Sequence, residues 1–73
     1  METNLLQRLL GEADTYAYEE AFLYNQSLTG YQLFDPAEQE AEEEVYLEAF
    51  NTKLIELGKE YNLDVTPYLK KEV

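Results

Sequence analysis

Apolar and polar positions recur with a helical period along two long stretches of the chain. In residues 3–26, Leu6, Leu10, Ala13, Ala17, Ala21 and Tyr24 repeat at steps of three and four. Leu5, Leu9, Tyr16 and Leu23 form an adjacent row, so the apolar sector is wide. Gly11 interrupts the run, but the stripe keeps its phase across it, which predicts one continuous helix. Thr3 or Asn4 offers the cap, and Asn4 with Gln7 makes a weak capping-box match. Tyr18 and Phe22 fall roughly opposite the apolar sector at 100° per residue. An i, i+4 aromatic pair on a polar face predicts a second contact, with a partner or with another copy of the chain.

The second stretch, 36–61, carries clearer boundaries. Asp35 is a strong N-cap residue, Pro36 suits the first helical position, and Glu38 completes a capping-box pattern. Leu47, Phe50, Leu54, Leu57 and Tyr61 form a stripe that continues past Gly58. The helix is therefore expected to end at Tyr61, with Asn62 as a left-handed cap. Ala37, Ala41, Val45 and Ala49 form a row of small residues at i, i+4. Such a row permits a close neighbour, although alanine is also the best helix former.

Residues 27–35 read as the connection. Gly30 breaks regular structure, while Leu28, Tyr31, Leu33 and Phe34 are too apolar for a solvated loop and are expected to plug the end of the helix pair. Past Leu63, Thr66 followed by Pro67 predicts a short helix over 67–72, with Lys70 and Lys71 at its negative pole. Val65, Tyr68 and Leu69 are expected to pack against the open end of the pair. A short connection implies antiparallel neighbours. In that register Ala17 and Ala21 fall near 37–43, Ala13 near Leu47, Leu10 near Phe50 and Leu6 near Leu54. Small residues then face small ones at the tip, and large face large at the base. The expected fold is all-α: an antiparallel two-helix hairpin with an apolar connecting loop and a short C-terminal helix. Residues 1–73 make one small domain. Two helices alone leave apolar stripe uncovered, so completion as a homodimer is expected.

Charge changes this picture. The net charge is −11. Residues 12–52 hold 11 acids and no Lys or Arg, while the remainder holds 5 acids and 5 bases. A hairpin gathers that excess at its tip. From Asp35 to Glu48 there are 7 acids in 14 residues, which is ~3 Å of helix axis per charge. One DNA strand carries a charge every ~3.4 Å. The acids spread around the helix, so the likeness is one of density and not of line.

The missing residue types narrow the chemistry further. With no His and no Cys, the usual general base and the best nucleophile are absent, and no phosphate-binding or nucleophile-elbow motif occurs. The chain is expected not to be an enzyme. Glu38 with Glu42 and Glu40 with Glu44 share helix faces, but no Glu-x-x-His can complete a di-metal site, so neither metal nor cofactor is expected. The absence of Cys suits a reducing compartment, and no stretch has a signal-peptide or membrane-spanning layout, so the expected location is the cytoplasm. Direct nucleic-acid binding needs clustered bases, the reverse of what this chain has.

These observations lead to a non-enzymatic acidic protein that covers the basic surface of a nucleic-acid-handling protein, as a DNA-mimic inhibitor does. Glu19, Glu20, Glu38, Glu40, Glu42, Glu43, Glu44 and Glu48 form the candidate acidic patch, with Tyr18 and Phe22 as the aromatic contact to a partner or second copy. Two other readings stand beside it. One is a helical adaptor or regulatory subunit working through apolar faces. The other is an immunity or antitoxin-like protein that neutralises a basic toxin. The plainest alternative is that the charge serves solubility.

Overall fold

A computed structural model describes residues 2–30 and 34–71 of the chain. Helices α1 (Glu2–Gln26) and α2 (Pro36–Tyr61) pack against each other as a helical hairpin, and a 3₁₀ turn, Thr66–Tyr68, follows. α1 runs unbroken through Gly11 and starts at Glu2, which leaves Thr3 and Asn4 inside the helix and not at its cap. The body is elongated, 47 × 20 × 16 Å. Its Cα radius of gyration of 14.1 Å exceeds the ~11 Å of a compact chain this long.

The ends of α2 follow from local chemistry. Asp35 Oδ1 accepts from the Ala37 N–H at 2.9 Å, and Pro36 needs no donor there. At the far end Asn62 adopts φ 56°, ψ 44°. The Leu63 N–H donates to the Gly58 carbonyl at 2.8 Å, and the Asn62 N–H to that of Lys59 at 3.4 Å, which is a Schellman closure.

The buried centre is a row at i, i+4 on α1: Leu9, Ala13, Ala17 and Ala21. Phe50, Leu54 and Leu57 of α2 and Val65 of the tail complete it. Ala13, Ala17 and Ala21 keep the line expected from the sequence, while at the base Leu9 of the adjacent row is buried in place of Leu6 and Leu10. Leu6 and Leu10 are half-buried flanks, and Tyr16 and Leu23 are exposed. A wide apolar sector leaves its own midline undetermined, and the alanines fix it because they allow the closest approach. On α2 the facing row is Glu38, Glu42, Tyr46, Phe50, Leu54 and Gly58. The small-residue row of Ala41, Val45 and Ala49 is only half-buried, and Ala37 is exposed. The expectation that small faces small at the tip is therefore replaced by polar pairing there. Tyr24 Oη donates to Glu38 Oε2 at 2.5 Å, and Asn25 Nδ2 to Glu42 Oε2 at 2.9 Å.

Two further expectations are corrected. Phe34 is 81% exposed and plugs nothing, while Leu28 is half-buried. Tyr31 and Leu33 lie outside the described residues. The C-terminal helix expected over 67–72 is instead one 3₁₀ turn, initiated by Asp64, whose Oδ1 accepts from the Thr66 N–H at 3.1 Å. Beyond it the chain is extended, with Leu69 at φ −69°, ψ 139°. Asn51 takes both backbone groups of Lys70: Nδ2 donates to its carbonyl at 2.6 Å, and Oδ1 accepts from its N–H at 2.8 Å. A helix would have turned that N–H to the Thr66 carbonyl instead. Tyr68 stays 43% exposed, while Leu69 is half-buried against the core.

Gly58 explains how the tail returns. A Cβ there would lie 3.0 Å from the Leu63 carbonyl oxygen and 3.0 and 3.1 Å from the Val65 methyls. The glycine is thus an approach point for the tail and not a helix stop. Gly11, by contrast, has nothing within 4 Å of such a Cβ. Gly11→Ala should raise stability by about 1 kcal/mol through helix propensity. Gly58→Ala should lower it despite the same propensity gain, because the obstructing Leu63 oxygen is backbone, in the turn that the Leu63 N–H closes on Gly58. In a Val65→Ala background that penalty should shrink. Chemical denaturation of the single and double variants checks all three.

Candidate functional site

The hairpin divides the predicted acidic patch into groups with different surroundings. Glu40, Glu43 and Glu44 are exposed and, with Leu47, line one concavity on α2. Glu48 is exposed and Glu20 half-buried. They border a shallow groove with Tyr16, Val45, Ala49 and Thr52 between the two helices. Glu19 stands apart from these, on a surface it shares with Arg8 and Lys53. Glu38 and Glu42 are half-buried and hold α1 through Tyr24 and Asn25, so their carboxylates also carry structure. Glu38 raises the Tyr24 phenol above its ordinary value, chiefly by accepting its hydrogen bond.

No Lys or Arg among the described residues pairs with Glu40, Glu43, Glu44 or Glu48. The one ion pair within 4.0 Å there is Arg8 Nε with Glu12 Oε1, at 3.6 Å and exposed. Other bases sit on aromatic rings. Lys53 Nζ is 5.3 Å from the Tyr16 centroid. Lys70 Nζ is 4.7 Å from that of Tyr46 and 4.5 Å from that of Phe50.

Tyr18 and Phe22 are 63% and 61% exposed. Tyr18 does not point away from the hairpin, as helical phase alone predicts. Its ring leans on Tyr46, with centroids 5.0 Å apart and planes at 54°. Tyr18 and Tyr46 share a depression with Ala21, Gln39, Glu42 and Glu43. The structure thus brings Tyr18 beside two of the predicted carboxylates.

A second constellation escaped the sequence reading. Tyr46 Oη donates to Asp14 Oδ1 and accepts from Lys70 Nζ, the latter at 2.8 Å. The Tyr46 and Phe50 rings stack at 6.2 Å. Asn51, one residue on, clips the Lys70 backbone. These five residues come from three segments, and no spacing along the chain relates them.

Among the described residues, no helix is long and apolar enough to cross a membrane. Comparisons with protein-family models, curated proteins and solved structures return no match.

Burial, then the hydrogen bond and charge of Asp14, push the Tyr46 phenol well above its ordinary range. A phenol raised by folding stabilises the native state fully below the unfolded pKa, and that stability is lost as pH climbs towards the folded value. Melting temperature should therefore fall once pH passes about 10. The fall should be shallower in Tyr46→Phe, which should already be less stable at neutral pH by about 1–3 kcal/mol through the lost hydrogen bond to the Asp14 carboxylate. Thermal melts across alkaline pH, with an ultraviolet tyrosine titration, measure both.

Proposed function

We propose that the chain is a non-enzymatic acidic binder that occupies the basic surface of a nucleic-acid-handling protein and blocks it. The observation that carries this reading is the set of unpaired carboxylates at Glu40, Glu43, Glu44 and Glu48, while Arg8, Lys53 and Lys70 are engaged elsewhere. A cationic partner meets a field that no internal base has neutralised. Such a field steers encounter and makes affinity strongly salt-dependent. The row Glu40, Glu44, Glu48 also sets like charges at i, i+4, an arrangement that lowers helix stability by about 0.2–0.5 kcal/mol per pair. Solubility alone does not require the charges to be placed against one another in this way. A nucleic-acid-handling partner also makes the cytoplasm the place of action.

A second reading has its own observation, the exposure of Tyr18 and Phe22. An adaptor, or an interface between two copies, would bury this pair. The elongated body, with its high surface for its length, favours such a contact. Neutralisation of a basic toxin shares the electrostatics of the first reading, and the identity of the captured protein separates the two.

The test measures affinity for a basic protein recovered from host extract at low salt. Log affinity should fall steeply and linearly with log salt, and duplex DNA should compete. The triple variant Glu40→Gln, Glu43→Gln, Glu44→Gln should lose binding while folding at least as stably as the native chain. Unchanged affinity in that variant removes the acidic reading. Loss on Phe22→Ala or Tyr18→Ala, with little salt dependence, supports the apolar one.

A further inference from the structure

We infer that Asp14, Tyr46, Phe50 and Asn51 form a site for a lysine in an extended peptide segment, filled in cis by Lys70. The inference rests on the reading that the partner is basic, and it names where one of that partner's side chains would sit. Each part of a lysine residue has a matching group. Asn51 offers one donor and one acceptor to the carbonyl and N–H of a single residue, the way one strand reads another. Those two bonds are indifferent to the side chain. The Tyr46 and Phe50 rings lie 4.7 and 4.5 Å from the ammonium. Tyr46 Oη accepts from it and donates its own hydrogen bond to Asp14, so a carboxylate polarises the acceptor. Backbone pairing, aromatic faces and a relayed negative charge together select an extended lysine.

The occupant is weakly held. The tail's apolar anchors are Val65, which is buried, and Leu69, which is half-buried. Past them, the hydrogen bonds of Lys70 are all exposed, and only its ammonium over the Phe50 ring reaches the core. Exposed polar contacts at the end of a chain belong to the least stable part of a fold, and open without the rest. Lys70 can therefore lift away while Val65 stays on Gly58.

The competitor that fits this chemistry is a lysine-bearing segment of a basic partner. Tyr46 also borders the depression lined by Glu42 and Glu43, so the lysine site and the acidic helix meet at one residue. Neighbouring bases on the same segment would reach those carboxylates. The tether gives Lys70 a high effective concentration, so a lone lysine competes poorly and a multiply basic segment competes well.

The probe is a capped hexapeptide repeating residues 66–71, titrated into isotope-labelled full-length Lys70→Ala and followed by nuclear magnetic resonance. Saturable shifts are expected at the Asn51 side-chain amide and the Tyr46 ring. The native chain should bind about three- to fivefold more weakly, the order set by one exposed cation–ring contact in cis. The same peptide with alanine at both lysine positions should give no shift. Lys70→Gln, which keeps the tail's length and solubility, repeats the measurement should Lys70→Ala loosen the tail. Equal binding of lysine and alanine peptides, native binding as tight as the variant's, or no shift at Asn51 and Tyr46 in either variant would overturn the assignment. Shifts confined to residues 40–44 would overturn it too while leaving the acidic reading intact. Failure of the acidic reading shows separately, as unchanged partner affinity in the Glu40, Glu43, Glu44 triple variant.

Discussion

The ridge of Leu9, Ala13, Ala17 and Ala21 is the constraint on which the rest of the molecule depends. Three alanines at i, i+4 leave almost no side chain between the backbones, so α2 approaches closely along that line. Whatever α2 places opposite must then be either well packed or well bonded. Its facing row meets that demand in sequence. Gly58, Leu54 and Phe50 pack at the base, Tyr46 bonds Asp14 at mid-length, and Glu42 and Glu38 accept from Asn25 and Tyr24 at the tip. No buried side-chain nitrogen or oxygen among the described residues lacks a partner. The seam changes from apolar to polar along one row of side chains.

That gradation explains the charge distribution. A close seam buries apolar side chains and leaves little room for carboxylates, so those not bonded to α1 turn outward on α2. The bases do not follow them. Arg8 pairs with Glu12, and Lys53 and Lys70 cover aromatic rings further along. A lysine placed over a ring shields apolar surface with its stem while keeping its ammonium in water. Stability at the base is thereby served by the same residues that could have neutralised the tip.

Sequence patterning was most informative where one local rule acted without competition. Asp35, Pro36 and Asn62 set the boundaries of α2, and the structure keeps them, because capping depends only on neighbours. The continuity of α1 through Gly11 followed from phase alone. Legibility failed where a residue had two possible partners. Glu38 fits a capping box, yet its carboxylate accepts from Tyr24 across the seam. Thr66 with Pro67 fits a helix start, yet Asn51 takes the Lys70 N–H that a helix would use. Tyr18 fits an outward face, yet the close approach of α2 brings Tyr46 under it. In each case tertiary proximity supplied a partner that sequence distance concealed. The acidic patch was readable as composition, but its division into bonded and free carboxylates was not, since that depends on which acids face α1.

Tyr46 is where the seam, the acidic surface and the tail meet. It lies one turn past Glu42 on the seam row, and it touches the acidic surface, the aromatic seam and the tail at once. Its hydroxyl both donates and accepts, which lets a negative charge at Asp14 and a positive one at Lys70 bear on the same oxygen. Neither charge is adjacent to the other along the chain or on a common helix. A change at the tail is therefore felt at the midpoint of the hairpin, beside Glu42 and Glu43. Asp14 and Tyr46 belong to the two helices that the alanine ridge packs together, so their contact does not run through the tail. The receptor half of this contact is built into the helix seam, while its occupant sits on the extended tail past the 3₁₀ turn. That asymmetry between a fixed site and a detachable ligand distinguishes it from the packing of Val65 on Gly58, where both sides belong to the core.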